Sequence, residues 1–136
     1  MKKLSLLLCS CILTILLVGC GSTKLSDNFD EDTVKKKAES IIELFTKDDF
    51  ASITEMVLPD LQDKLSAEVL EQGKKQVMPD AGAFDSYTSE SVISQTDPDS
   101  KEEYATCVVI AKYENQSVTF TFAFNKEMQI TTMFLK

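Results

Sequence analysis

The chain has 136 residues and a formal net charge of −8, from 14 basic and 22 acidic side chains. Every basic residue is Lys, and with no His, Arg or Trp the chain has no imidazole catalysis, no imidazole metal site and no bidentate guanidinium clamp for phosphate or guanine. The length supports one domain of ordinary size, and 43% hydrophobic with 26% charged residues is the balance of a globular chain rather than a disordered one.

The N-terminus is read as an address. Met1-Lys2-Lys3 precedes a 15-residue apolar run from Leu4 to Val18, the plan of a secretory signal peptide. A transmembrane helix needs about 20 apolar residues, more than this run supplies. The run ends in Leu17-Val18-Gly19-Cys20, which resembles the lipobox of bacterial lipoproteins. That resemblance implies cleavage before Cys20 and a diacylglyceryl thioether on its sulfur. Two acyl chains give a stable anchor, so the expected location is the extracytoplasmic face of the cell membrane, attached rather than spanning. Loss of residues 1–19 would leave 12 Lys against 22 acids, a net charge of −10, on 117 residues. It would also remove Cys9 and Cys11, leaving Cys107 as the lone thiol and the domain without an internal disulfide. At that size the core is self-sufficient.

Residues 20–29 are expected to form the lipidated N-terminus and a polar tether reaching about 30 Å when extended, with Leu25 and Phe29 as its two candidates for docking. Residues 30–136 are expected to form a single domain. Asp30 or Asp27 suits the cap of a first helix with Val34, Ala38, Ile41, Ile42 and Phe45 at helical spacing. Lys35, Lys36 and Lys37 read as a solvated face. A short second helix carries Phe50, Ile53, Met56 and Val57 and ends at Pro59-Asp60. A third starts at the Ser66 cap and runs to about Met78, with Gly73 inside it implying close packing or a kink.

From Phe84 the apolar period changes from 3.6 to 2. Strands are expected over 84–95, 103–113, 118–124 and 128–135, with turns at Asp97-Pro98-Asp99-Ser100, Glu114-Asn115-Gln116 and Asn125-Lys126-Glu127. Phe120, Phe122 and Phe124 alternate with polar residues and mark a core face. The expected fold is α+β: three N-terminal helices packed on a four-stranded antiparallel meander.

This order is similar to the cone-shaped fold of the nuclear transport factor 2-like superfamily. More closely, the chain from about residue 30 to 136 resembles the domain of unknown function 3887 family of lipoproteins from low-GC Gram-positive bacteria. The segments carrying the resemblance include Ala38-Glu39-Ser40-Ile41-Ile42-Glu43-Leu44-Phe45, Lys47-Asp48-Asp49-Phe50, Leu65-Ser66-Ala67-Glu68-Val69-Leu70, Gly82-Ala83-Phe84, Val109-Ile110-Ala111-Lys112-Tyr113-Glu114, Val118-Thr119-Phe120 and Met133-Phe134-Leu135-Lys136. These are packing patterns, and the family lends no active site. Some of its members are joined to hydrolase domains, which implies an accessory role.

If the cone holds a ligand, Tyr87, Tyr104 and Asp85 are the candidate cavity-lining residues. A Tyr–Asp pair would be its one proton-transfer device, yet strand tyrosines with a polar tip at a rim are common. Cys107, between Thr106 and the apolar run 108–110, reads as an inert core thiol. The acids around Asp27–Asp32 lack the glycine and distal Glu of a calcium loop and suit a helix N-terminus instead, so no metal or other cofactor is expected. The acidic balance disfavours nucleic acid. The expected function is that of a membrane-anchored, non-enzymatic binding or interaction module, with an envelope protein or a small molecule as partner. The alternative is an apolar or peptide ligand held in the cone, with weak enzymatic activity.

Overall fold

The computed structural model describes residues 24–136; the expected signal segment and the expected lipobox residues Leu17, Val18, Gly19 and Cys20 lie outside them. Helix α1 spans Glu31–Thr46. The Asp30 carboxylate opens it by accepting from Thr33 N at 2.8 Å and Thr33 Oγ1 at 2.6 Å. Its buried stripe is the expected one, Val34, Ala38, Ile41, Ile42 and Phe45. At its far end the Lys74 ammonium donates to the carbonyls of Phe45 and Thr46 at 3.1 and 3.0 Å and to Asp48 at 2.7 Å. A cation thereby sits on the last carbonyls at the negative end of the helix dipole.

Helix α2, Phe50–Glu55, is capped by Asp49, which accepts from Ser52 N at 3.2 Å. Pro59 does more than close this region: it opens a single 3-10 turn, Pro59–Leu61. Helix α3, Ala67–Val77, starts from the Ser66 hydroxyl, which accepts from Val69 N at 3.3 Å. The expectation of close packing at Gly73 does not hold. A Cβ built there meets no heavy atom within 4 Å.

The sheet consists of β1, Phe84–Thr96, β2, Glu103–Tyr113, β3, Ser117–Phe124, and β4, Ile130–Leu135, all antiparallel in the order β1-β2-β3-β4. It is an open meander with β1 and β4 at its edges, so the fold is α+β with helices on one face. β4 begins two residues later than the hydropathy pattern suggests. Met128 takes φ 60° in the preceding turn and donates its N–H to Asn125 O at 2.9 Å, which keeps it out of the ladder.

Phe120, Phe122 and Phe124 are fully buried on the helix-facing side. Phe45 of α1 meets Phe50 and Phe120 edge-on, with ring centroids 5.4 and 5.6 Å away. Burying each such ring is worth about 1.5–3 kcal/mol, so this cluster ties α1 to β3. Among the described residues nothing covers the opposite sheet face, which carries Ile93, Val108 and Ile110, all half-buried, and Phe134 at 66% exposure.

Of the stretch expected as tether, the part from Leu25 lies against the domain. Leu25 packs on the core and Phe29 is buried. Ser26 N donates to Ser94 Oγ at 2.7 Å and Asn28 Nδ2 to Glu103 Oε2 at 3.0 Å. Two apolar side chains spaced four apart supply the burial, and the polar residues between them find partners at the β1–β2 hairpin.

Candidate functional site

The β1–β2 register decides which side chains of β1 face α1. Irregularities between Phe84 and Ser86 and between Tyr87 and Ser89 set Tyr87 opposite Ala111, Glu90 opposite Val109 and Val92 opposite Cys107. Ala111, Val109 and Cys107 are completely buried inward residues of β2. Tyr87 and Glu90 therefore share the inner face with them and lie beside α1.

Two features result. The first is a rim groove of about 310 Å³ between the last turns of α1 and the start of β1, lined by Ile42, Glu43, Thr46, Lys47, Phe84 and Tyr87. Phe84 stands 37% exposed, with its ring 4.9 Å from that of Tyr87 and 5.7 Å from that of Tyr113. The Thr46 hydroxyl and the Tyr113 phenol are 2.8 Å apart and tie the end of α1 to β2.

The second is a polar seam under α1. Glu39 and Glu90 approach each other across the α1–β1 junction. Burial first, then the Glu90 charge and a hydrogen bond shared with Glu90, raise the Glu39 pKa above its ordinary value. Glu90 Oε1 is buried and, among the described residues, has no hydrogen-bond partner. Lys35, at the edge of the seam, is bound to Glu31 at 2.6 Å; that bond, with a further contribution from Glu90, raises its pKa.

The seam fixes the state of its neighbours. The Tyr87 phenol donates to Glu39 O at 3.3 Å. Burial, then the Glu39 and Glu43 charges, push its pKa far up, so it stays protonated and acts as a donor. Burial and the Glu90 charge push the Cys107 thiol up to about 12. A thiol in that state is no nucleophile near neutral pH.

The three candidate cavity residues are not gathered around one site. Tyr87 lines the rim groove. Tyr104 stands opposite Gln95, eight residues further along β1 from Tyr87, or about 26 Å at strand spacing. Its phenol donates to Glu102 Oε2 at 2.7 Å beside a separate cleft of about 450 Å³ at the hairpin end. Asp85 is exposed and accepts from Ser86 Oγ at 2.9 Å. Strand geometry explains the separation, since Tyr87 faces inward at one end of the sheet and Tyr104 outward at the other.

Glu39, Glu90 and the groove residues Ile42, Thr46 and Phe84 were not among the sequence candidates. The signal for Glu90 was present, because strand alternation back from Val92 puts it on the inner face. Glu39 lies three residues before Ile42 and four after Lys35, at the margin of the buried stripe.

The family described as "Protein of unknown function (DUF3887)" has a model that matches residues 38–133. The chain belongs to that family. No curated protein matches it. Among solved structures, the NMR structure of a protein from Ruminococcus gnavus ATCC 29149 is similar with a TM-score of 0.72 at 23% identity, over 84% of this chain and 99% of the other. That likeness concerns the fold. The matched residues 38–133 include both halves of the seam and all the groove residues.

Proposed function

We propose that this chain is a membrane-anchored extracytoplasmic lipoprotein whose folded part is a non-enzymatic binding or interaction module. The observation that carries the anchor is the 15-residue apolar run after Lys2-Lys3, ending in Leu17-Val18-Gly19-Cys20. Binding is supported by the rim groove, where two aromatic rings form an apolar wall and Glu43 and Lys47 supply one charge of each sign. Such a groove suits an apolar side chain of an envelope protein or a small apolar molecule. Chemistry on bound molecules has weaker support, since the Tyr87 phenol and the Cys107 thiol both hold their protons.

Cell fractionation of Cys20→Ala tests the anchor. The variant is expected in the soluble or secreted fraction, or as an unprocessed precursor. Unchanged membrane attachment and unchanged mass would refute it. For the groove, a photocrosslinker at Lys47 is expected to give a defined adduct that Phe84→Asp abolishes; an adduct indifferent to Phe84 would exclude this surface.

A further inference from the structure

We infer that the β1–β2 hairpin end of the sheet is the membrane-proximal end of the domain and faces the lipid headgroups, while the Phe84–Tyr87 groove is held at the distal end. This rests on the lipid-anchor reading of Cys20 and adds an orientation to it.

The argument starts from where the chain is caught. Ser26 is bonded to Ser94 and Asn28 to Glu103, two residues that flank the β1–β2 turn. Leu25 and Phe29 pack on the core on either side of these bonds. Five residue steps separate Cys20 from Leu25, so even fully extended they reach only about 18 Å. The far end of β2 at Tyr113 lies eight residues from Ala105, the partner of Ser94, or about 26 Å along the strand. The leash is thus shorter than the distance from its docking point to the groove end.

Charge does not hold the domain against the lipid. The turns at the hairpin end carry Asp97, Asp99, Glu102 and Glu127 against Lys101 and Lys126. An acidic excess gives no adhesion to an anionic bilayer, and the chain as a whole has the same sign. The docked strap therefore sets the posture, with the groove pointing away from the membrane, where a partner can reach it.

The test uses the full-length chain, expressed in a bacterium that processes lipoproteins and reconstituted in nanodiscs of phosphatidylglycerol and phosphatidylethanolamine carrying a gadolinium-chelate headgroup. Paramagnetic broadening of backbone amides is the readout. Amides at 97–102 and 125–128 are expected to broaden several-fold more than those at 114–116 and 82–84. Inserting roughly ten Gly/Ser residues after Ser22 should shrink that contrast by lengthening the leash. Equal broadening at both ends, or stronger broadening across Val108, Ile110 and Phe134, means a domain lying flat and overturns the orientation alone. An unmodified Cys20 in the mass spectrum overturns the anchor, and the orientation with it.

Discussion

On the β3 side of the sheet Phe120, Phe122 and Phe124 are sealed completely under the helices. On the β1 side the same face carries Tyr87, Glu90 and Ser94, all only half-buried, with an open groove beside them. One surface thus serves two purposes. The aromatic half ties α1 to β3 through Phe45 and Phe120, and two carboxyls come together at the other half, where α1 lies along β1. An edge strand can afford this, because solvent remains within reach of its side chains.

The largest expected effect breaks the sealed half. Phe120→Ala leaves a cavity between Phe45 and the sheet and should cost about 3–5 kcal/mol, read as the urea midpoint. A loss below about 1 kcal/mol would mean that α1 is held by something other than the aromatic cluster.

Gly82→Ala comes next, at the groove end. Gly82 has φ +79°, and a Cβ there would sit 2.7 Å from Glu114 Cβ. Strain of this kind costs about 1–3 kcal/mol, and thermal unfolding should show it. The opposite sign is expected at Gly73, where a Cβ meets nothing. Gly73→Ala should stabilise by about 1 kcal/mol through helix propensity, and a destabilised variant would mean that α3 is packed there after all.

The smallest effect sharpens the comparison through pH. The folded-state pKa of Glu39 is raised, so the folded chain binds that proton more tightly than the unfolded chain does. Its contribution is fully present below the ordinary Glu value and is lost as pH rises through the folded one. Glu39→Gln removes that loss. Between mildly acidic and neutral pH the variant should gain on the parent by ~0.5 kcal/mol, a small figure because solvent screens the pair. Parallel stability–pH curves for the two chains would remove the seam from the account.

The helices, the caps of the first and third, and the strand order were legible in the sequence because each rests on local chemistry. Asp30 and Ser66 precede apolar stripes of helical period, and the alternation from Val118 to Phe124 needs no tertiary information. The docked strap was legible only as two apolar residues, Leu25 and Phe29, since the hydroxyl and carboxylate that receive it are dozens of residues away. Of the site, only Tyr87 was found. The irregular register at the start of β1 decides which of its residues face α1, and that register depends on pairing with β2 rather than on hydropathy. Tyr104 and Asp85 were grouped with Tyr87 by residue type, and strand geometry put them elsewhere.

Two glutamates make the most direct test of the claim that the β1 side of the inner face holds two carboxyls close enough to raise the pKa of Glu39. Side-chain carboxyl carbon shifts followed against pH should give Glu39 a midpoint above the ordinary glutamate range, because burial and the Glu90 carboxylate disfavour its charge. Glu103 should titrate below that range, because hydrogen bonds from Ser26 and Asn28 favour its charge. Midpoints on opposite sides of the ordinary value are the predicted result. A Glu39 midpoint at or below the ordinary value would contradict the account.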